Sequence, residues 1–142
     1  MALPNMGSTF KKFELKSAAD QLVYYMRYAQ TRAVAKNILV RLEFSEDFSS
    51  YWLSGEELRK EDDVTIESTE LIKISGRMGH VNSIPLGVKV KSDLSFVDFY
   101  PDGDIQKQVM NVCNDKLCYT VSTEDQRGYV RIYESNTTTH PI

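Results

Sequence analysis

The chain has 142 residues, enough for one domain with its own hydrophobic core, and its 42% hydrophobic and 26% charged residues are the balance of an ordinary globular protein. A formal net charge of −3 gives no electrostatic reason to expect nucleic acid or an anionic membrane surface as partner. No apolar run approaches the ~18 residues that span a bilayer, and the start lacks the charged and apolar regions of a signal peptide.

Ala2-Leu3-Pro4-Asn5-Met6 leads into one continuous helix over residues 6–36. Its apolar residues fall at Leu15, Ala19, Leu22, Met26, Ala29 and Ala33, alternating steps of four and three that define a single buried stripe. A rod of that span is about 45 Å long, more than the domain needs to cover its own core. The excess is read as the sign of a segment removed upstream or of a partner. The helix is expected to stop at Lys36-Asn37, where Asn takes a left-handed cap and Lys suits the negative end of the dipole.

The period then switches from helical to alternating. Ile38, Val40, Leu42 and Phe44 share one face of a strand, with Arg41 and Glu43 on the other. Ser45 to Ser50 reads as a turn, Tyr51-Trp52-Leu53 as the return strand, and Glu56 to Lys60 as a short helix within the charged run Glu56 to Asp63. Further strands are predicted at Val64–Glu67, Leu71–Ile74, Val88–Lys91, Leu94–Tyr100, Gln108–Val112, Leu117–Ser122 and Gly128–Glu134. Ser75 to Gly87, with glycines and Pro85, reads as a long loop, Pro101-Asp102-Gly103-Asp104 as a tight turn, and Ser135 to Ile142 as a loose tail. One long helix followed by strands is an α+β layout, with residues 1–36 laid as a helix on an antiparallel β domain of residues 37–142.

Reactive chemistry is sparse. Cys113 and Cys118 flank a turn-rich Asn-Asp-Lys-Leu, so a disulfide across a hairpin is expected, with an oxidising compartment as its consequence. Two reduced thiols are the alternative, and zinc is disfavoured because no second Cys/His pair stands at ligand spacing. His80 and His140 match no metal or triad spacing. Asp98, Asp102 and Asp104 are the one weak candidate for a hard cation, although Asp-Gly is equally a turn dipeptide. Tyr24, Tyr25 and Tyr28 with Arg27 and Arg32 form an aromatic–basic helix patch, read as packing in preference to nucleic-acid contact. With no phosphate loop or nucleophile motif, neither an enzyme nor a cofactor is expected.

Several segments carry a resemblance. Ala2-Leu3-Pro4-Asn5-Met6 resembles the point where type IV pilin-like proteins leave the membrane. Ser17 to Leu22, Ala29 to Asn37, then Val40, Leu42 and Phe44 resemble the H-type pseudopilin and FimT/FimU minor pilin pattern, in which an alanine-rich helix ends at Asn and runs into an alternating strand. Phe99-Tyr100-Pro101-Asp102-Gly103 is similar to that family's Phe-x-Pro-x-Gly hairpin, and Gly128 to Ile132 to its closing Gly-x-x-Arg strand. Residues 54–90 match poorly.

The resemblance implies a non-enzymatic subunit of a pilus-like filament, held in the bacterial inner membrane by an upstream apolar segment, with its globular domain in the periplasm. Its implied partners are other pilins or pseudopilins and inner-membrane assembly proteins, and without the apolar segment it is expected to be a monomer. Met6, Phe10 and Phe13 would then face neighbouring subunits, while Leu15 to Ala33 pack on the protein's own sheet. A minor pseudopilin of type II secretion is the first reading. A minor pilin of a type IV pilus, in initiation, adhesion or DNA uptake, is the alternative.

Overall fold

A computed structural model describes the backbone of residues 6–61 and 64–135, and the side chains of these residues except 6–8 and 57–70. Ala2 to Asn5, the Met6 side chain, the carboxylates of Glu57, Glu61, Asp62 and Asp63, and the tail with His140 lie outside the described residues.

Helix α1 spans Met6–Lys36. Leu15, Ala19, Leu22, Met26, Ala29 and Ala33 are each at most 2% exposed. Val23 and Tyr25 are also buried, widening the stripe. Three alanines in this face let the helix backbone approach the sheets closely. The helix ends in a Schellman motif. Asn37 takes φ 54°, its N–H donates to the Val34 carbonyl at 3.4 Å, and the Ile38 N–H donates to the Ala33 carbonyl at 3.1 Å.

Two antiparallel sheets lie against α1. The first has β1 (Val40–Phe44) between β2 (Ser50–Glu61) and β6 (Phe96–Phe99), with β3 (Val64–Lys73) and the two-residue β4 (Asn82–Ser83) on β2. Val40, Leu42 and Phe44 point into the core, as alternation requires. On the opposite face Arg41 stands across from Asp98 and forks onto it, Nε at 2.6 Å and Nη2 at 3.1 Å. That carboxylate holds the guanidinium proton above its ordinary range. The second sheet runs β5 (Lys89–Ser92), β7 (Val109–Cys113), β8 (Cys118–Ser122) and β9 (Arg131–Ser135). Strand β8 is buried at every position. The helix contacts β1, β2 and β6 of one sheet and β7, β8 and β9 of the other, so the core lies beneath a single helix face.

Four local expectations are corrected. Glu56 to Lys60 is strand, because β2 continues to Glu61 and hydrogen-bonds to β3 past a bulge between Glu56 and Leu58. Val64–Glu67 and residues 71–73 lie in one strand, β3, which continues through Ser68-Thr69-Glu70 where its register on β2 shifts. The long loop carries a 3-10 turn at Arg77–Gly79 and the strand β4. Its tightness explains Gly79, where a Cβ would sit 1.7 Å from the Ile74 carbonyl oxygen. Ser135, expected in the tail, closes β9 and pairs with Cys118.

Candidate interaction surface

The first turns of α1 run beside two loops and leave their apolar residues open. Phe10 is 64% exposed and Phe13 70%. A groove of about 230 Å³ separates them from Ser83-Ile84-Pro85, floored by Ala18 and the buried Tyr51. Tyr51 packs edge to face on Tyr25, with ring centroids 5.7 Å apart. Burial, reinforced by Tyr25, pushes the Tyr51 phenol well above its ordinary value. A second groove of about 250 Å³ lies between Lys11, Glu14, the Leu86-Gly87-Val88 segment and the hairpin tip Asn114-Asp115.

The hairpin tip also touches the helix directly. Cys113 and Cys118 face each other across β7 and β8 and are disulfide-bonded. Within the loop that they close, Asn114 Oδ1 accepts from the N–H groups of Lys116 and Leu117. The Asn114 amide donates to the Lys11 carbonyl at 3.3 Å, and Lys11 Nζ lies 3.7 Å from Asp115. At the other end of the helix Gln30 Nε2 donates to the carbonyls of Gly103 (2.8 Å) and Gly128 (2.7 Å), tying two turns to α1. Both glycines have positive φ, 91° and 77°. Sequence reading missed Gln30, whose role depends on tertiary placement. It also missed Leu86, although an apolar residue between Pro and Gly is a visible signal.

The remaining candidates are separate. Asp98 is engaged by Arg41 within the first sheet. Asp102 and Asp104 sit in the turn after β6, where their carboxylates accept from the N–H groups of Asp104 and Ile105, at 2.9 Å each, and lie near Arg127. Among the described residues no group of three or more His, Cys, Asp and Glu is placed to hold a metal ion. The helix patch divides: Tyr25 is core, Tyr24 is 61% exposed, Tyr28 meets Arg32 at 3.4 Å, and Arg27 donates to the Val130 carbonyl. His80 is exposed in its loop. Among the described residues no helix is long and apolar enough to cross a membrane.

No family model matches the sequence, and no curated protein sequence does either. Solved structures do match. The minor pseudopilin EpsH from the type 2 secretion system of Vibrio cholerae superposes with a TM-score of 0.62 over 85% of this chain and 97% of that one, at 12% identity. The type IV minor pilin FimU of Pseudomonas aeruginosa gives 0.62 over 92% of this chain and 95% of that one, at 17% identity, and 0.53 in a second crystal form. The chain has the pilin-like fold. In that fold the surface around Phe10 and Phe13 belongs to the long N-terminal helix, and the disulfide hairpin braces that helix from the second sheet.

Proposed function

We propose that the protein is a non-enzymatic structural subunit of a pilus-like filament, a minor pseudopilin of type II protein secretion that assembles through α1. The observation that carries this reading is the fold likeness over nearly the whole chain to EpsH and FimU, joined to a helix that buries one face from Leu15 onward and leaves Phe10 and Phe13 open. Residues 1–36 act as the assembly helix and residues 37–142 as the β domain. Met6, Phe10 and Phe13 meet neighbouring subunits, burying apolar surface worth roughly 1.5–3 kcal/mol for each residue of this size. The domain resides in the periplasm, held at the inner membrane, where the Cys113–Cys118 bridge is chemically stable. Its partners are the other pilins of the same filament and the inner-membrane assembly proteins.

A second reading, a minor pilin of a type IV pilus, is favoured by the FimU likeness, which spans more of the chain at higher identity. Deleting the gene in its source bacterium separates the two. Loss of secreted enzymes with intact surface pili indicates the pseudopilin, and loss of pili with intact secretion indicates the pilin. A deletion that leaves both untouched, under conditions where both operate, contradicts the filament reading.

A further inference from the structure

Another cavity lies near the far end of α1, away from Phe10 and Phe13. It holds about 100 Å³ between the last turns of the helix, β2 and the end of β3. Ile38, Ile72 and Ile74 wall it, and Gly55 keeps its floor clear. A Cβ at Gly55 would meet Ile38 Cδ1 and Ile74 Cγ2 at 3.4 Å each. Arg32 and Glu56 complete the lining with opposite charges, and neither has an ion-pair partner among the described residues. Arg32 Nη1 donates to the Tyr28 hydroxyl at 3.4 Å, while its Nε is buried with no acceptor. Glu56 Oε1 accepts from the Leu39 N–H at 2.9 Å, which leaves the other oxygen without a partner among the described residues. Lys73 adds no second cation inside, because its ammonium stands over the Trp52 ring, 5.4 Å from the centroid.

A guanidinium short of an acceptor and a carboxylate short of a donor thus share one pocket. A simple anion there would be opposed by Glu56, and a simple cation by Arg32. A ligand carrying both charges answers both groups, and the isoleucine walls suit an aliphatic body. One water takes roughly 10–15 Å³ of such space, so the cavity has room for about seven to ten non-hydrogen atoms. We propose that this cavity binds a small aliphatic α-amino acid such as valine. Its carboxylate accepts from Arg32, its ammonium donates to Glu56, and its side chain lies against Ile38, Ile72 and Ile74. The inference goes beyond the filament reading and does not depend on it, since that reading uses the first turns of the helix.

The test is titration of the isotope-labelled 142-residue chain with valine, followed by amide NMR. Saturable shifts are expected at Gly55, Ile72 and Ile74. Arg32→Gln and Glu56→Gln should each weaken binding about tenfold, the loss expected when one charged hydrogen bond is removed. Glu56→Gln keeps a carbonyl for the Leu39 N–H, and unchanged thermal midpoints show that both variants fold. Isovalerate and isobutylamine, which each lack one of valine's charges, should bind about tenfold more weakly to the parent chain. If a variant unfolds, this analogue series decides alone. No saturable shift up to the solubility limit of valine overturns the proposal, as does equal affinity in the parent and both folded variants. Isovalerate binding as tightly as valine also overturns it, and would make the cavity a carboxylate site only.

Discussion

Tyr51 joins packing to titration in a single residue. It is 4% exposed, forms the floor of the groove beside α1, and packs edge to face on Tyr25. Its phenol is held above the ordinary 10.0, chiefly by burial. In the unfolded chain Tyr51 ionises near pH 10, while in the folded chain it keeps its proton. Above pH 10 the unfolded state therefore binds fewer protons, and stability falls as pH rises, by at most about 1.4 kcal/mol per pH unit from this group. Tyr51→Phe should remove that component. Urea unfolding at pH 9 and pH 11 should show a smaller pH-dependent loss in the variant than in the parent, and equal losses would refute the assignment. Gln30 is the corresponding polar case, with one amide on two carbonyls. Gln30→Leu keeps the volume and strands both acceptors, and we expect it to cost about 1–3 kcal/mol in denaturant midpoint analysis. A loss below a few tenths would show that water replaces the amide freely.

Among the elements, the hairpin of β7 and β8 is stapled beside the helix it braces. The bridge closes a loop with a sequence separation of 5, so its entropic contribution is about 2 kcal/mol. Cys113→Ser with Cys118→Ser should lower stability by that amount while the sheet persists, because β8 is buried along its length between β7 and β9. Amide exchange should quicken first at Asn114 to Leu117 and then at the first turns of α1. Uniform protection across both would contradict the bracing role of the hairpin. These elements were unevenly legible in the sequence. The stripe from Leu15 to Ala33 and the switch at Asn37 were readable, because helical period and left-handed capping are local properties. The extent of β2 and β3 was not. Glu56 to Glu61 has no alternation, and its conformation is decided by hydrogen bonds to a partner strand rather than by propensity. Ser68 to Glu70 likewise looks like a break, and it falls where the register between β2 and β3 shifts although the strand continues.

At the scale of the whole molecule, one helix covers two sheets along part of its length and leaves its first turns bordered by open grooves. The α+β architecture followed from element order, and the pilin-like resemblance from dispersed motifs at both ends of the chain. The surface was only half visible. Phe10 and Phe13 stood out as apolar residues ahead of the buried stripe, but Leu86 joins them only through the fold. The chain has its own core under the later helix and an open apolar end at the earlier one, which is the asymmetry that the proposed assembly requires. Photo-cross-linking in the source organism tests that claim most directly, with a benzophenone amino acid placed at position 10 of the chain expressed from its own gene and at position 129 as control. The account predicts cross-linked species containing other filament subunits for position 10 and none for position 129. Position 10 remaining monomeric, or both positions giving the same products, would contradict it.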